Sequence, residues 1–192
     1  MSSNSWVQAL ITAQVDGTAL ANSTTPTSIL PPAARFTLPS NFFAYVGQAI
    51  WMRAIGRVST VTAAPGTLTI DVRLGTVATP IVVFNGGAMN LNVTAQTNAT
   101  WWFEAMLTAR AIGNGTSANL MGTGEFSSRA LIGSPALAVG YAGTALLPDT
   151  APAVGTGFDS TITNVVDLFA TWSTANAANS IQLHQYTLKS LN

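Results

Sequence analysis

Side chains in this chain repeat with a period of two. In "TLTIDVRL", Leu68, Ile70, Val72 and Leu74 fall on one face, with Thr67, Thr69, Asp71 and Arg73 on the other. An alternation of this kind fits a strand with one buried face and cannot place its apolar residues on one stripe of a helix. "TWWFEAMLTARAI" repeats it, with Trp101, Phe103, Ala105, Leu107 and Ala109 on one side. Glu104, Thr108 and Arg110 lie on the other, beside Trp102 and Met106. "VVDLFATW" aligns Val166, Leu168, Ala170 and Trp172. "AIWMRAIGRVSTVT" alternates less cleanly, because Arg53, Arg57 and Ser59 share a face with Trp51, Ile55 and Val61. "PIVVF" reads as a short buried strand.

Turn residues divide these runs. "AAPGT" (63–67), "FNGGAMN" (84–90), "IGNGTSAN" (112–119) and "GTGEF" (122–126) supply the Gly and Asn that positive φ favours. Helix is scarce: "SPALAVGYAG" (134–143) has room for one turn, and its two glycines argue against more. The stretch 18–39 carries Pro26, Pro31, Pro32 and Pro39 and reads as an extended arm or long loop, able to reach a neighbouring subunit. "LPDTAPAVGTG" (147–157) reads as a similar loop. Eight to ten strands without βαβ alternation predict an all-β fold: one antiparallel β-sandwich of jelly-roll type, residues 1–192 forming a single domain.

Charge narrows the partners. Only 7% of residues are charged, against roughly a quarter in an average soluble domain. Seven basic and seven acidic residues cancel, so no broad positive field is present to hold nucleic acid or an anionic membrane, and neither is expected as a partner. Residues 48% hydrophobic and a mean hydropathy of +0.36 point to a well-filled core or buried interfaces. With no cysteine, disulfides and thiolate metal sites are excluded. The start "MSSNSWVQALITAQVDG" lacks the basic region of a secretory signal, so synthesis in a cytosol is expected.

Chemistry is hard to find. The one histidine, His184, lies in "SIQLHQYTL", where Ile181 and Leu183 share a face and Gln182, His184 and Tyr186 share the opposite one. There is no G-x-S-x-G and no H-E-x-x-H. Each carboxylate stands alone in its stretch, where a glycosidase needs two across a cleft. Glu104 with Arg110, and Asp71 with Arg73, read as ion pairs along or across strands. Asp149 and Asp159 are too far apart in sequence for a convincing calcium loop. No catalytic residue, metal or cofactor is expected. Trp101 and Trp172 belong to apolar rows and so to the core. Trp102 adjoins Trp101 on one strand, so it must face away from the core that buries its neighbour. Trp102, His184 and Tyr186 are therefore the interface candidates.

Four long stretches carry a resemblance. "ALITAQVDGTALANSTTPTSILPP", "FNGGAMNLN", "WWFEAMLTARAIGNGTSANLMGTGEF" and above all "WSTANAANSIQLHQYTLKSLN" resemble small virion structural proteins of tailed bacteriophages. The resemblance implies a jelly-roll domain that assembles as a homo-oligomer, often a trimer. It also implies docking on the major capsid protein, on the outside of the virion, as a decoration or cementing protein. It brings no catalytic residues. A tail-fibre or baseplate component is the alternative within virions, and a carbohydrate-binding module using Trp102 is the alternative outside that class.

Overall fold

The computed structural model describes residues 6–131, 143–148, 151 and 153–191. Among them lie twelve strands: β1 (Val7–Thr12), β2 (Leu20–Ala21), β3 (Thr27–Ser28), β4 (Phe36–Leu38), β5 (Ala49–Thr60), β6 (Thr67–Gly75), β7 (Pro80–Asn90), β8 (Gln96–Ala111), β9 (Asn119–Ser128), β10 (Gly143–Leu147), β11 (Asn164–Trp172) and β12 (Ser180–Leu191). One 3-10 turn spans Pro32–Ala34. The helical turn expected near residue 134 lies outside the described residues, as does Asp149.

The strands form two antiparallel sheets. The larger runs β1-β12-β5-β8-β9-β10, with β2 also on β12; the smaller runs β3-β11-β6-β7, with β4 also on β11. Successive strands cross between sheets (β5 to β6, β7 to β8, β11 to β12), while β5 pairs β8 and β6 pairs β7. That nested pairing is the wrap of a jelly roll. β9 and β10 continue the larger sheet past it as a meander.

The alternation assigned the core correctly where strands are regular. Leu68, Ile70, Val72 and Leu74 of β6 are fully buried, and so are Trp101, Phe103, Leu107 and Ala109 of β8 and Val166, Leu168, Ala170 and Trp172 of β11. Trp101 stacks on Phe126 at 5.6 Å, and its Nε1–H donates to the Arg57 carbonyl at 3.1 Å. Each buried indole N–H thus has a partner, since Trp172 donates to the Leu20 carbonyl.

Two glycine stretches do not turn the chain. "FNGGAMN" runs inside β7, where register shifts against β6 and a φ of +82° at Gly87 mark a bulged edge strand. Only Val83 and Phe84 of "PIVVF" are buried, because β7 is an edge of the smaller sheet. "GTGEF" lies inside β9. There Gly122 lacks a side chain because the Phe84 ring from the opposite sheet occupies that space: an added Cβ would lie 2.3 Å from it.

β12 holds the main departure. Leu183 faces Gly56 on β5, but Gln185 faces Ile55, so His184 is an inserted bulge residue. Every side chain after it changes face. Tyr186 turns into the core and is 1% exposed, so it does not share a face with His184 and is withdrawn as an interface candidate. Its burial pushes the phenol far above its ordinary range.

The proline-rich stretch is extended, but it does not reach away. β2 pairs β12, and β3 and β4 pair β11. Leu20, Ile29, Leu30, Ala34 and Leu38 are buried in the chain's own core. The arm also lies against the charged groups on the smaller sheet's outer face. Asp167 accepts from the Ser28 hydroxyl at 2.5 Å and pairs with Arg35 Nε at 3.0 Å. Beside it, Arg73 pairs with Asp71 at 3.0 Å, as the sequence suggested, and lies over the Phe169 ring at 4.2 Å.

Burial raises the pKa of both Asp71 and Asp167, outweighing the arginines that lower it. A carboxyl with a folded pKa above its unfolded value of about 3.9 binds its proton more tightly in the folded chain. Its stabilising contribution is complete below that value and is lost as pH rises through the folded pKa. Melting temperature is therefore expected to rise as pH is lowered from 7 toward about 4. Asp71→Asn combined with Asp167→Asn should abolish the rise. A melting temperature that falls steadily over this range would contradict the assignment.

Candidate functional site

The two outer sheet faces differ in how their charges are satisfied. On the smaller sheet, Asp71, Arg73 and Asp167 are paired within the chain, Asp167 with Arg35 of the arm. On the larger sheet the arm contributes only β2 beside the start of β12, and the pleat sets what faces outward. Odd-numbered residues of β5, even-numbered residues of β8, odd-numbered residues of β9 and the odd-numbered residues of β12 beyond its bulge share the outer face.

Register arranges these residues in rows. One row runs Lys189, Trp51, Met106, Thr123. The next runs Thr187, Arg53, Glu104, Glu125, Leu146, and the third Gln185, Ile55, Trp102, Ser127, Thr144. Below them Arg57 stands opposite Thr100. Met106 is 44% exposed and Leu146 71%. Lys189 Nζ lies 4.8 Å from the centre of the Trp51 ring, and the Arg53 guanidinium lies 5.7 Å from that of Trp102.

Shallow grooves cross this face. One lies between Trp51, Ile55, Gln185 and Lys189. A second holds Trp51, Trp102, Glu104, Met106, Glu125 and Leu146. The third holds Arg57, Asn98, Thr100, Trp102, Ser127 and Arg129. Trp102 is a wall shared by the last two. Among the described residues the ion pairs are Arg35–Asp167, Arg73–Asp71 and His184–Asp16. Hence Arg53, Arg57, Arg129, Lys189, Glu104 and Glu125 form no ion pair among the described residues. Such a face can contribute large apolar contact area and charges of both signs to a partner surface, exposed at Arg53, Arg57 and Arg129 and half-buried at Lys189, Glu104 and Glu125.

Trp102 is half-buried on this face, where its place beside core Trp101 put it. His184 sits at the bulge, its Nδ1 2.9 Å from Asp16 Oδ2 on the loop after β1. It therefore has a carboxylate partner, and no group of three or more His, Asp or Glu forms among the described residues. Glu104 does not pair with Arg110. It stands between Arg53 on β5 and Glu125 on β9. The sequence reading missed two features: the adjacency of Glu104 and Glu125, and Arg57 and Arg129 facing one groove. The first had a signal, because 104 and 125 are equidistant from Asn114–Gly115 in the hairpin loop "IGNGTSAN".

No family model matches the chain, and no curated protein matches it. Among solved structures, it is similar to the CBM2 module of the evolved Dit of Lactobacillus casei BL23 phage J-1. Identity there is 10% over 98% of this chain and 97% of that one, with a TM-score of 0.36. Winged bean acidic lectin, solved with methyl-α-D-galactose, is 10% identical over 100% of this chain and 94% of that chain, with a TM-score of 0.39. A protein of unknown function from Shewanella oneidensis MR-1 is 10% identical over 96% and 78%, with a TM-score of 0.31. At these scores the likenesses carry no argument about what this chain binds.

Proposed function

We propose that this is a non-enzymatic virion structural protein: a capsid decoration protein that holds to the major capsid protein on the exterior of a phage head, as a homo-oligomer. The outer face of the larger sheet is its attachment surface. The observation that supports this reading is the array of Trp51, Trp102, Met106 and Leu146 set among charges without ion pairs in the chain. Tryptophan and arginine are the residues that most often dominate the energetics of protein interfaces. The smaller sheet supports the choice of face, because its charged groups already have partners. Attachment would add buried area between neighbouring capsid subunits and so resist heat and internal pressure.

Fractionation of particles into heads and tails, with quantitative mass spectrometry of each, tests the reading. The protein is expected with heads, in copy number comparable to the major capsid protein. Heads without it are expected to release DNA at lower temperature. Recovery with tails in a few copies would make it a fibre or baseplate part instead, and absence from both fractions would end the virion reading.

Glycan binding draws on the same tryptophans. Its support is weaker, because Lys189 and Arg53 already lie over those two rings. Binding on a glycan array that Trp102→Ala abolishes would reverse the preference.

A further inference from the structure

The groove between Arg57 and Arg129 has an unusual construction. Both residues are exposed, yet each is held by the backbone of one irregular segment. Arg57 Nη1 donates to the Asn98 carbonyl at 3.4 Å and to the Thr100 hydroxyl, and Arg129 Nη2 donates to the Thr97 carbonyl at 3.3 Å. The segment is irregular because β8 changes register against β5 between Val58 and Thr60, and Asn98 has a φ of +47°. Non-glycine residues at positive φ are uncommon, and here the bulge presents carbonyls that anchor two guanidiniums at one groove. Like charges gathered in one place repel, and neither has a carboxylate partner among the described residues.

The hydroxyls in the groove each have a partner, whereas the Asn98 carboxamide and the Trp102 indole N–H have none among the described residues. The Ser128 hydroxyl donates to the Thr100 carbonyl and accepts from the Ala130 amide. Ser127 Oγ accepts from the Thr144 hydroxyl, and the Thr100 hydroxyl accepts from Arg57. A polyol would find few open hydroxyl partners. Beside the Asn98 and Trp102 groups, what remains open is guanidinium N–H, five donors on each arginine less those named, and these carry the only charge in the groove. Such donors match the two oxygens of a carboxylate.

Distance along the sheet then separates a protein partner from a polyanion. Glu104 follows Thr100 by four residues on the same face, about 13 Å along the strand, and Glu125 stands beside it. A nucleic acid lying along this face would meet both carboxylates. A protein surface can instead place an acid at one point and a base at the other.

We infer that the Arg57–Arg129 groove receives an aspartate or glutamate side chain of the protein to which this chain docks, with a basic residue of the same partner reaching Glu104 and Glu125. This rests on the docking reading above and names the partner's chemistry at one part of the face.

The test adds full-length protein back to heads that lack it and measures bound copies across a salt series. Arg57→Gln with Arg129→Gln is expected to weaken attachment by about 10- to 100-fold at low salt and to flatten the salt dependence. Both side chains are exposed, so melting temperature checks that the fold is intact. Glu104→Lys with Glu125→Lys should also weaken attachment. Arginine variants that bind like wild type, with the same salt slope, overturn the inference and leave the docking reading standing. Wild-type protein that binds neither heads nor tails overturns both. Arginine-dependent binding of a short single-stranded oligonucleotide, or loss of attachment on nuclease treatment, replaces the acidic protein partner with nucleic acid.

Discussion

If the protein docks as proposed, Trp51→Ala together with Trp102→Ala is expected to remove it from phage heads. Truncating one hot-spot residue at a protein interface costs about 2 kcal/mol or more, roughly 30-fold in affinity. Two such losses on one face give on the order of 10³-fold if they act independently. The rings stand two rows apart in register, Trp51 beside Lys189 and Trp102 near Arg53. Losing a ring therefore also releases the cation that it positions. Both side chains lie on the outside of the sheet, so melting temperature should fall far less than affinity does. A binding isotherm on heads lacking the protein measures the effect. Affinity within threefold of wild type would show that this face is not the attachment surface.

The second large effect lies in folding. Gly56→Ala places a Cβ 1.9 Å from the Gln182 carbonyl oxygen and 2.8 Å from the Trp101 ring. Neither neighbour can yield easily. The carbonyl belongs to the backbone of β12 just before its bulge, and the indole is fully buried. Overpacking typically costs 1–3 kcal/mol, and a clash with backbone belongs at or above the top of that range. A loss of about 3 kcal/mol lowers melting temperature by roughly 6–12 °C in a chain of this size. Thermal or denaturant melts of the variant measure it, and a shift within one or two degrees would mean that β12 adapts freely.

That pair of strands also marks where the sequence stopped being informative. In β6 and β8 the pleat runs without interruption on the core side, so alternation alone assigned Leu68 to Leu74 and Trp101 to Ala109. In β12 one inserted residue at His184 reversed the assignment of Tyr186. A bulge is set by pairing with a strand far away in sequence, here β5, and "SIQLHQYTL" carries no local mark of it. Trp102 was legible because one strand cannot bury two adjacent large rings on the same side. Arg57 and Arg129 were not, because their approach depends on a register change between strands far apart in sequence. The glycines of "FNGGAMN" and "GTGEF" look the same in sequence as turn glycines. Only the Phe84 ring, arriving from the other sheet, reveals what Gly122 is for. The proline-rich arm read correctly as extended, yet Ile29, Leu30 and Leu38 would serve equally well to cover a neighbour's core or its own.

That the arm folds back has a consequence for how copies of this chain can meet. A long uninterrupted strand at a sheet margin is a template, and each molecule that adds to it leaves a new template exposed. Here the margin beside β11 is occupied by two pieces, β3 and β4, of two and three residues, separated by prolines and a 3-10 turn. It offers an incoming strand little continuous backbone to pair with. Contacts between such molecules on that side must use faces. A strand margin renews itself with every unit added, so breaking this one into short pieces removes one route to open-ended growth.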